Sequence, residues 1–233
     1  MALDVYVGSL TRYYVGEWEN VSERAARRRG VQRQPVRPSL PEGEAERIRL
    51  AMTDWRAALA QSLGDRIEGP LDWDESPDGA YFTGRPGWDG FGSLVLWAAY
   101  AEHPALRLPD SLPEEWDNDP ALVRSNAEGF RSRYSHLVRN VELWLPGGFE
   151  FTFEGEDVHR RRVVIGSSAM LHRQLSDLNA ATWKAAAAVV GRWGRSPPPS
   201  EATLEQRARY GFAVLFGLCD QAVEHRLPMK LDY

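Results

Sequence analysis

Residues 141–165, VELWLPGGFEFTFEGEDVHRRRVVI, decide the fold class. Three short runs, Val141–Leu145, Phe149–Glu154 and Arg161–Ile165, are divided by Pro146-Gly147-Gly148 and by Gly155–His159. Short apolar or alternating runs between turn residues read as β-strands joined by tight loops. In the middle run Phe149, Phe151 and Phe153 fall on one face. Glu150, Thr152 and Glu154 fall on the other, because successive strand side chains point to opposite sides.

Outward from this patch the periodicity becomes helical. Upstream, helices are expected over about Thr11–Arg29, over Glu44–Leu63 and over Gly92–Glu102. The second carries the stripe Ile48, Met52, Trp55, Leu59 and Leu63 and stops at Gly64; the third is apolar all round and so central. Asp119-Pro120 reads as an N-cap and a first-turn proline, opening a helix with Val123, Ala127, Phe130, Tyr134 and Leu137 on one face. Downstream, Gly166-Ser167-Ser168 opens a helix with a stripe from Leu171 to Trp193. Ser200 is expected to cap a last helix running to about Arg226. Leu3–Val7 and Met229–Tyr233 alternate, and are expected to be strands lying side by side. The sum is an α+β, helix-dominated single globular unit, residues 1–233, with a small antiparallel sheet.

A hydrophobic content of 43% suffices for a full core, and the longest apolar runs fall short of the roughly 20 residues that span a bilayer. The N-terminus shows no secretory pattern, and the single cysteine, Cys219, fits a reducing compartment, so a cytoplasmic location without membrane contact is expected. The bases are 26 arginines against Lys184 and Lys230, which fits GC-rich codon usage and weakens any reading of arginine clusters. The net charge of −5 is segregated. Residues 68–119 hold twelve carboxylates against Arg85 and Arg107, a local −10 that leaves +5 elsewhere. An acidic surface of that kind favours a basic partner and argues against nucleic acid.

The candidate site lies in this segment, in GPLDWDESPDGAYFTGRPGWDGFG, residues 69–92. Its glycines and prolines preclude a regular element through most of its length. The candidate binding residues are Asp72, Trp73, Asp74, Glu75, Tyr81, Trp88 and Asp89. Asp72-Trp73-Asp74 has D-x-D spacing, which suits a divalent ion, though no glycine-rich phosphate loop accompanies it. Asp74 or Glu75 with Asp89 would suit acid/base hydrolysis of a glycoside if 5–9.5 Å apart. Trp73, Tyr81 and Trp88 would suit an aromatic cage for a cation. Against these stands the plainer reading that the tryptophans fill gaps between helices and the carboxylates cap turns.

Elsewhere the sequence offers no G-x-S-x-G elbow and no zinc spacing among its five histidines, and Cys219 sits in an apolar helical run. Neither a cofactor nor a metal is expected. Arg24, Arg27, Arg28, Arg29, Arg33 and Arg37 gather where a helix C-terminus favours cations, and His159-Arg160-Arg161-Arg162 lies at a hairpin.

The chain resembles an uncharacterised group of soluble proteins from high-GC bacteria in Leu3-Asp4-Val5-Tyr6, Thr11-Arg12-Tyr13-Tyr14, Pro70–Asp74, Gly87-Trp88-Asp89, Glu142–Pro146, Ile165-Gly166-Ser167 and Leu227–Tyr233. That resemblance implies a bacterial, cytoplasmic, single-unit protein and no particular activity. The expected function is that of a non-enzymatic binding protein engaging a basic protein partner, an immunity-type inhibitor being one form. The competing expectation is a small hydrolase or transferase acting on a sugar or nucleotide through Asp and Glu. A third is a homo-oligomer joining acidic segment to arginine cluster.

Overall fold

The computed structural model describes residues 2–31, 40–67 and 69–233. Most of the proline-interrupted connector, together with Arg33, Arg37 and Glu68, lies outside the described residues. Along the chain the elements are β1 (Asp4–Val7), α1 (Leu10–Val15), α2 (Val21–Arg28), α3 (Glu44–Leu63), β2 (Phe82–Gly84), α4 (Gly87–Glu102), α5 (Pro120–Ser125) and α6 (Ser135–Val138). Then come β3 (Val141–Leu145), β4 (Phe153–Glu156), β5 (Arg162–Ser167), α7 (Ser168–Ala181), α8 (Ala187–Trp193), α9 (Leu204–Glu224) and β6 (Met229–Asp232). The α+β, helix-dominated expectation holds. Among the described residues no helix is long and apolar enough to cross a membrane.

The strands form one sheet in the order β2-β1-β6-β3-β5-β4. Strands β1 and β6 lie side by side as expected and run antiparallel, with Tyr6 opposite Lys230. The sheet is mixed rather than purely antiparallel, because β3 and β5 run parallel while β4 returns antiparallel on β5. Strand alternation divides the sheet's side chains between two cores. Val5, Val7, Trp144, Met229 and Leu231 pack with α4, α7 and α9 in the larger one. Leu143, Leu145, Val163 and Ile165 pack on the opposite face with Leu10, Met52, Leu63, Leu71, Trp73 and Phe149. The α3 stripe thus buries Ile48, Met52 and Leu63 as its spacing predicts.

Three expected helices break, each for a visible local reason. The first ends at Gly16, which adopts φ 79° and bonds back to the Arg12 and Tyr13 carbonyls. Asn20 and Glu23 then form a capping box that starts α2 on a new axis. The second opens at Asp119 and Pro120 as expected but ends at Ser125. The chain turns through Gly129 at φ 79° before α6, so Val123 is left exposed while Tyr134 and Leu137 are buried. The third stops at Ala181, and the Asn179 amide bonds both the N–H and the carbonyl of Ala185, bridging the gap to α8. Thr203 rather than Ser200 caps α9, with Gln206 completing the box. β4 begins at Phe153, later than expected, yet the rings of Phe149, Phe151 and Phe153 still cluster within 5.3–6.1 Å of one another.

Candidate functional site

The structure divides the 69–92 stretch into a built-in part and a surface part. Trp73 is 5% exposed and sits in the α3-side core. The Arg56 guanidinium lies over its ring and donates to its carbonyl at 2.8 Å. Its neighbours Asp72 and Asp74 point outward. Asp72 pairs with Arg56 at 3.0 Å. Asp74 spends both oxygens on Ser76, accepting its N–H and its hydroxyl at 2.8 Å each, and these bonds lower its pKa. The D-x-D carboxylates are thus engaged separately, and among the described residues no group of three His, Cys, Asp or Glu is arranged to hold a metal ion.

Glu75 turns inward. It accepts the N–H groups of Leu10 and Thr11 at 3.1 and 2.8 Å, and the Trp73 indole N–H. A carboxylate at the start of α1 satisfies amides that have no partner within the helix. Removing it strands these donors. Glu75→Ala is therefore expected to cost about 2 kcal/mol in a urea melt, with Asp74→Ala costing a fraction of that.

Tyr81 stacks on Tyr6 at 6.2 Å, with the guanidinium groups of Arg12 and Arg24 at 4.9 and 5.5 Å from its ring. The three cage aromatics stand apart, each with its own partners, and two of them already carry arginines. Arg85, the one base inside the stretch, reaches away from it. It forms a two-pronged bond of 2.7 and 2.8 Å to buried Asp4 and bonds Ser22 at 2.6 Å.

Trp88 and Asp89 open α4 and remain at the surface. Trp88 is 36% exposed and its ring meets that of Tyr233 at 5.2 Å. Tyr233 is itself 55% exposed and donates its hydroxyl to Glu142 at 2.9 Å. Asp89 pairs with Arg207 of α9. The two halves of the stretch lie at opposite ends of β1: Gly87 N–H bonds to Leu3 at one end, and Glu75 binds Leu10 beyond the other. Four strand residues span about 13 Å. Glu75 and Asp89 are thus placed too far apart for the acid/base pair the sequence suggested.

Asp110, Glu114, Glu115 and Asp117 are exposed and form no ion pair among the described residues. They adjoin the Trp88 end of the molecule. Asp110 accepts the Leu204 N–H at the start of α9, and Trp116 lies against Gly92 of α4. Cys219 is fully buried, donates to the Ser168 carbonyl at 3.2 Å, and has its thiol pKa pushed up by burial. Of the first basic cluster, Arg27, Arg28 and Arg29 end α2, as the helix dipole favours, whereas Arg24 lies earlier in the helix and reaches the Tyr81 ring.

Sequence reasoning passed over Lys230. Its side chain shares a sheet face with Tyr6 and Leu143, 1% exposed, and its Nζ has no hydrogen-bond partner. Tyr13 and Tyr14 of α1 place their rings 5.5 and 6.0 Å from that nitrogen. The available signal was compositional: lysine stands here, in an alternating strand, in a chain whose other bases are nearly all arginine. The chain matches no protein-family model, no curated protein and no solved structure.

Proposed function

We propose that the protein is a non-enzymatic binding protein that engages a basic protein partner through the surface around Trp88, Asp89 and Tyr233, an immunity-type inhibitor being the concrete form. The observation that carries this reading is the half-exposed Trp88–Tyr233 pair set among carboxylates. Glu142 lies beside Tyr233, Asp89 follows Trp88, and Asp110 to Asp117 adjoin the same end. Rigid aromatic side chains are frequent hot spots, and surrounding charge speeds capture of an opposite partner. Trp73, Glu75 and Tyr81 serve this reading as supports, because they hold α1 and the loop in place.

The enzyme alternative draws less support, since its carboxylates are committed to Ser76, to helix amides and to arginines. The test is affinity capture at low ionic strength with the native chain and with a Trp88→Ala, Tyr233→Ala double variant. A discrete basic partner retained by the native chain, released by salt and lost with the variant, is the expected outcome. Equal retention by both chains, or none by either, removes the basis for the proposal.

A further inference from the structure

The interior of the sheet's α1 face carries more polar chemistry than packing requires. Lys230 occupies the central strand β6, between β1 and β3. Around it lie Asp157, whose side chain is fully buried, and Glu142, Asp232 and Arg161. Asp157 already has four donors. Its Oδ1 accepts the His159 and Arg161 N–H groups at 2.9 and 3.0 Å, and its Oδ2 accepts Tyr14 Oη and Arg161 Nε at 3.1 Å each. That carboxylate is saturated and leaves the lysine nitrogen without a bond.

An ammonium ion buried with no hydrogen-bonded partner costs several kcal/mol, which shifts the balance towards the neutral amine. Burial, aided by the Arg161 charge, lowers the Lys230 pKa, and the three carboxylates offset this only in part. A neutral lysine amine has a free lone pair, the state in which lysine acts as a nucleophile towards carbonyl carbon. Arginine could not take this part, because it does not deprotonate.

We propose that Lys230 is a covalent attachment site for a small uncharged aldehyde or ketone, held as an imine between the sheet and the Tyr13–Tyr14 side of α1. The Nζ lone pair forms the C–N bond while the carbonyl π pair moves to oxygen. Both amine hydrogens then leave with that oxygen as water, and no oxidant or reductant is consumed. An uncharged ligand is specified because the surrounding carboxylates repel an anion and the burial disfavours any charge. Entry of the ligand requires local opening of α1, the six-residue helix whose Tyr13 and Tyr14 rings cover Nζ.

The chain has two lysines, so the test is clean. The folded protein is treated with propanal and sodium cyanoborohydride near pH 7.5, and the N-propyl adducts are mapped by peptide mass spectrometry. A lowered pKa leaves more of the Lys230 amine neutral, so Lys230 is expected to acquire the N-propyl label in the folded protein, and faster than exposed Lys184. The same treatment in urea should bring the two rates together. Label confined to Lys184 and the N-terminus in the folded protein overturns the proposal. So does a Lys230→Met variant that stays folded by circular dichroism and takes up as much label as the native chain. The Trp88–Tyr233 surface is not involved, so failure here leaves the binding proposal standing.

Discussion

Gly211→Ala is expected to lower stability by about 3 kcal/mol, the upper end of what overpacking a core costs. Helices α4 and α9 cross where Gly90 faces Gly211. A Cβ on Gly211 would fall inside contact distance of the Gly90 carbonyl oxygen and carbon. Those atoms are helix backbone, so no side chain can swing away, and the whole crossing must widen. Widening loosens Phe91, Leu94, Phe212 and Leu215, all in the larger core. The reciprocal change is milder. A Cβ on Gly90 meets Tyr210 at 3.3 Å and the Gly211 backbone at 3.5 Å, close to ordinary contact. Urea denaturation of the two variants gives the comparison, and equal costs would show that the crossing is not set by Gly211. A change in midpoint without a change in slope identifies lost stability rather than an altered native state.

Acid is expected to remove about 3 kcal/mol of stability between pH 6.5 and pH 4 through His136 alone. This histidine is fully buried. Its Nδ1 accepts the Ser167 N–H at 2.9 Å, so the neutral ring carries its proton on Nε2. Nε2 has no partner at hydrogen-bonding distance, and burial pushes the pKa from 6.5 down to about 4, with the Glu150 carbonyl offsetting part of the effect and Arg139 adding to it. The unfolded chain takes up a proton near pH 6.5, whereas the folded chain resists until about pH 4. Stability from this residue is complete above that window and is lost as pH falls through it, at about 1.4 kcal/mol per unit. His136→Asn keeps an acceptor for Ser167 without titrating in this range. Melts at pH 7.5, 6, 5 and 4 should show the native chain converging on the variant as pH falls. Parallel curves would rule out His136 as the cause.

The location explains why this histidine matters to the fold. Its own N–H is bonded by Gln174, its carbonyl accepts the Trp144 indole at 2.8 Å, and its ring holds the β5–α7 junction. Protonation therefore strains the link between α6, β3 and α7 together. Nothing in the sequence around residue 136 distinguishes it from the other four histidines, because the shift arises from burial by segments remote in the chain.

Much of the architecture was legible in residue pattern. The α3 stripe, the Asp119-Pro120 start, the body of the apolar α4 and the alternation of Leu3–Val7 and Met229–Tyr233 rest on periodicity and capping, which act within a few residues. Helix breaks were less legible. Gly16 and Gly129 turn the chain, and Asn179 bridges to Ala185, but each competes with an apolar period that runs on past it. Packing decides that competition, not the local pattern.

The acidic, aromatic stretch 69–92 shows the same division. By itself the sequence determined that most of it is irregular, charged and rich in rings, because proline, glycine and side-chain chemistry are properties of the residues, while β2 and the first turns of α4 form inside its second half. Only the tertiary structure decided what each ring and carboxylate does. Strand β1 lies between Glu75 and Asp89, Glu75 is drawn to the amides of α1, Trp73 is buried against α3, and Trp88 is left beside Tyr233 at the other end of the chain. The same holds for Lys230: its charge is a matter of sequence, while its burial without a partner is the work of strands brought together from both termini. Long-range pairing sets the dielectric and the neighbours of a group, and these set its chemistry.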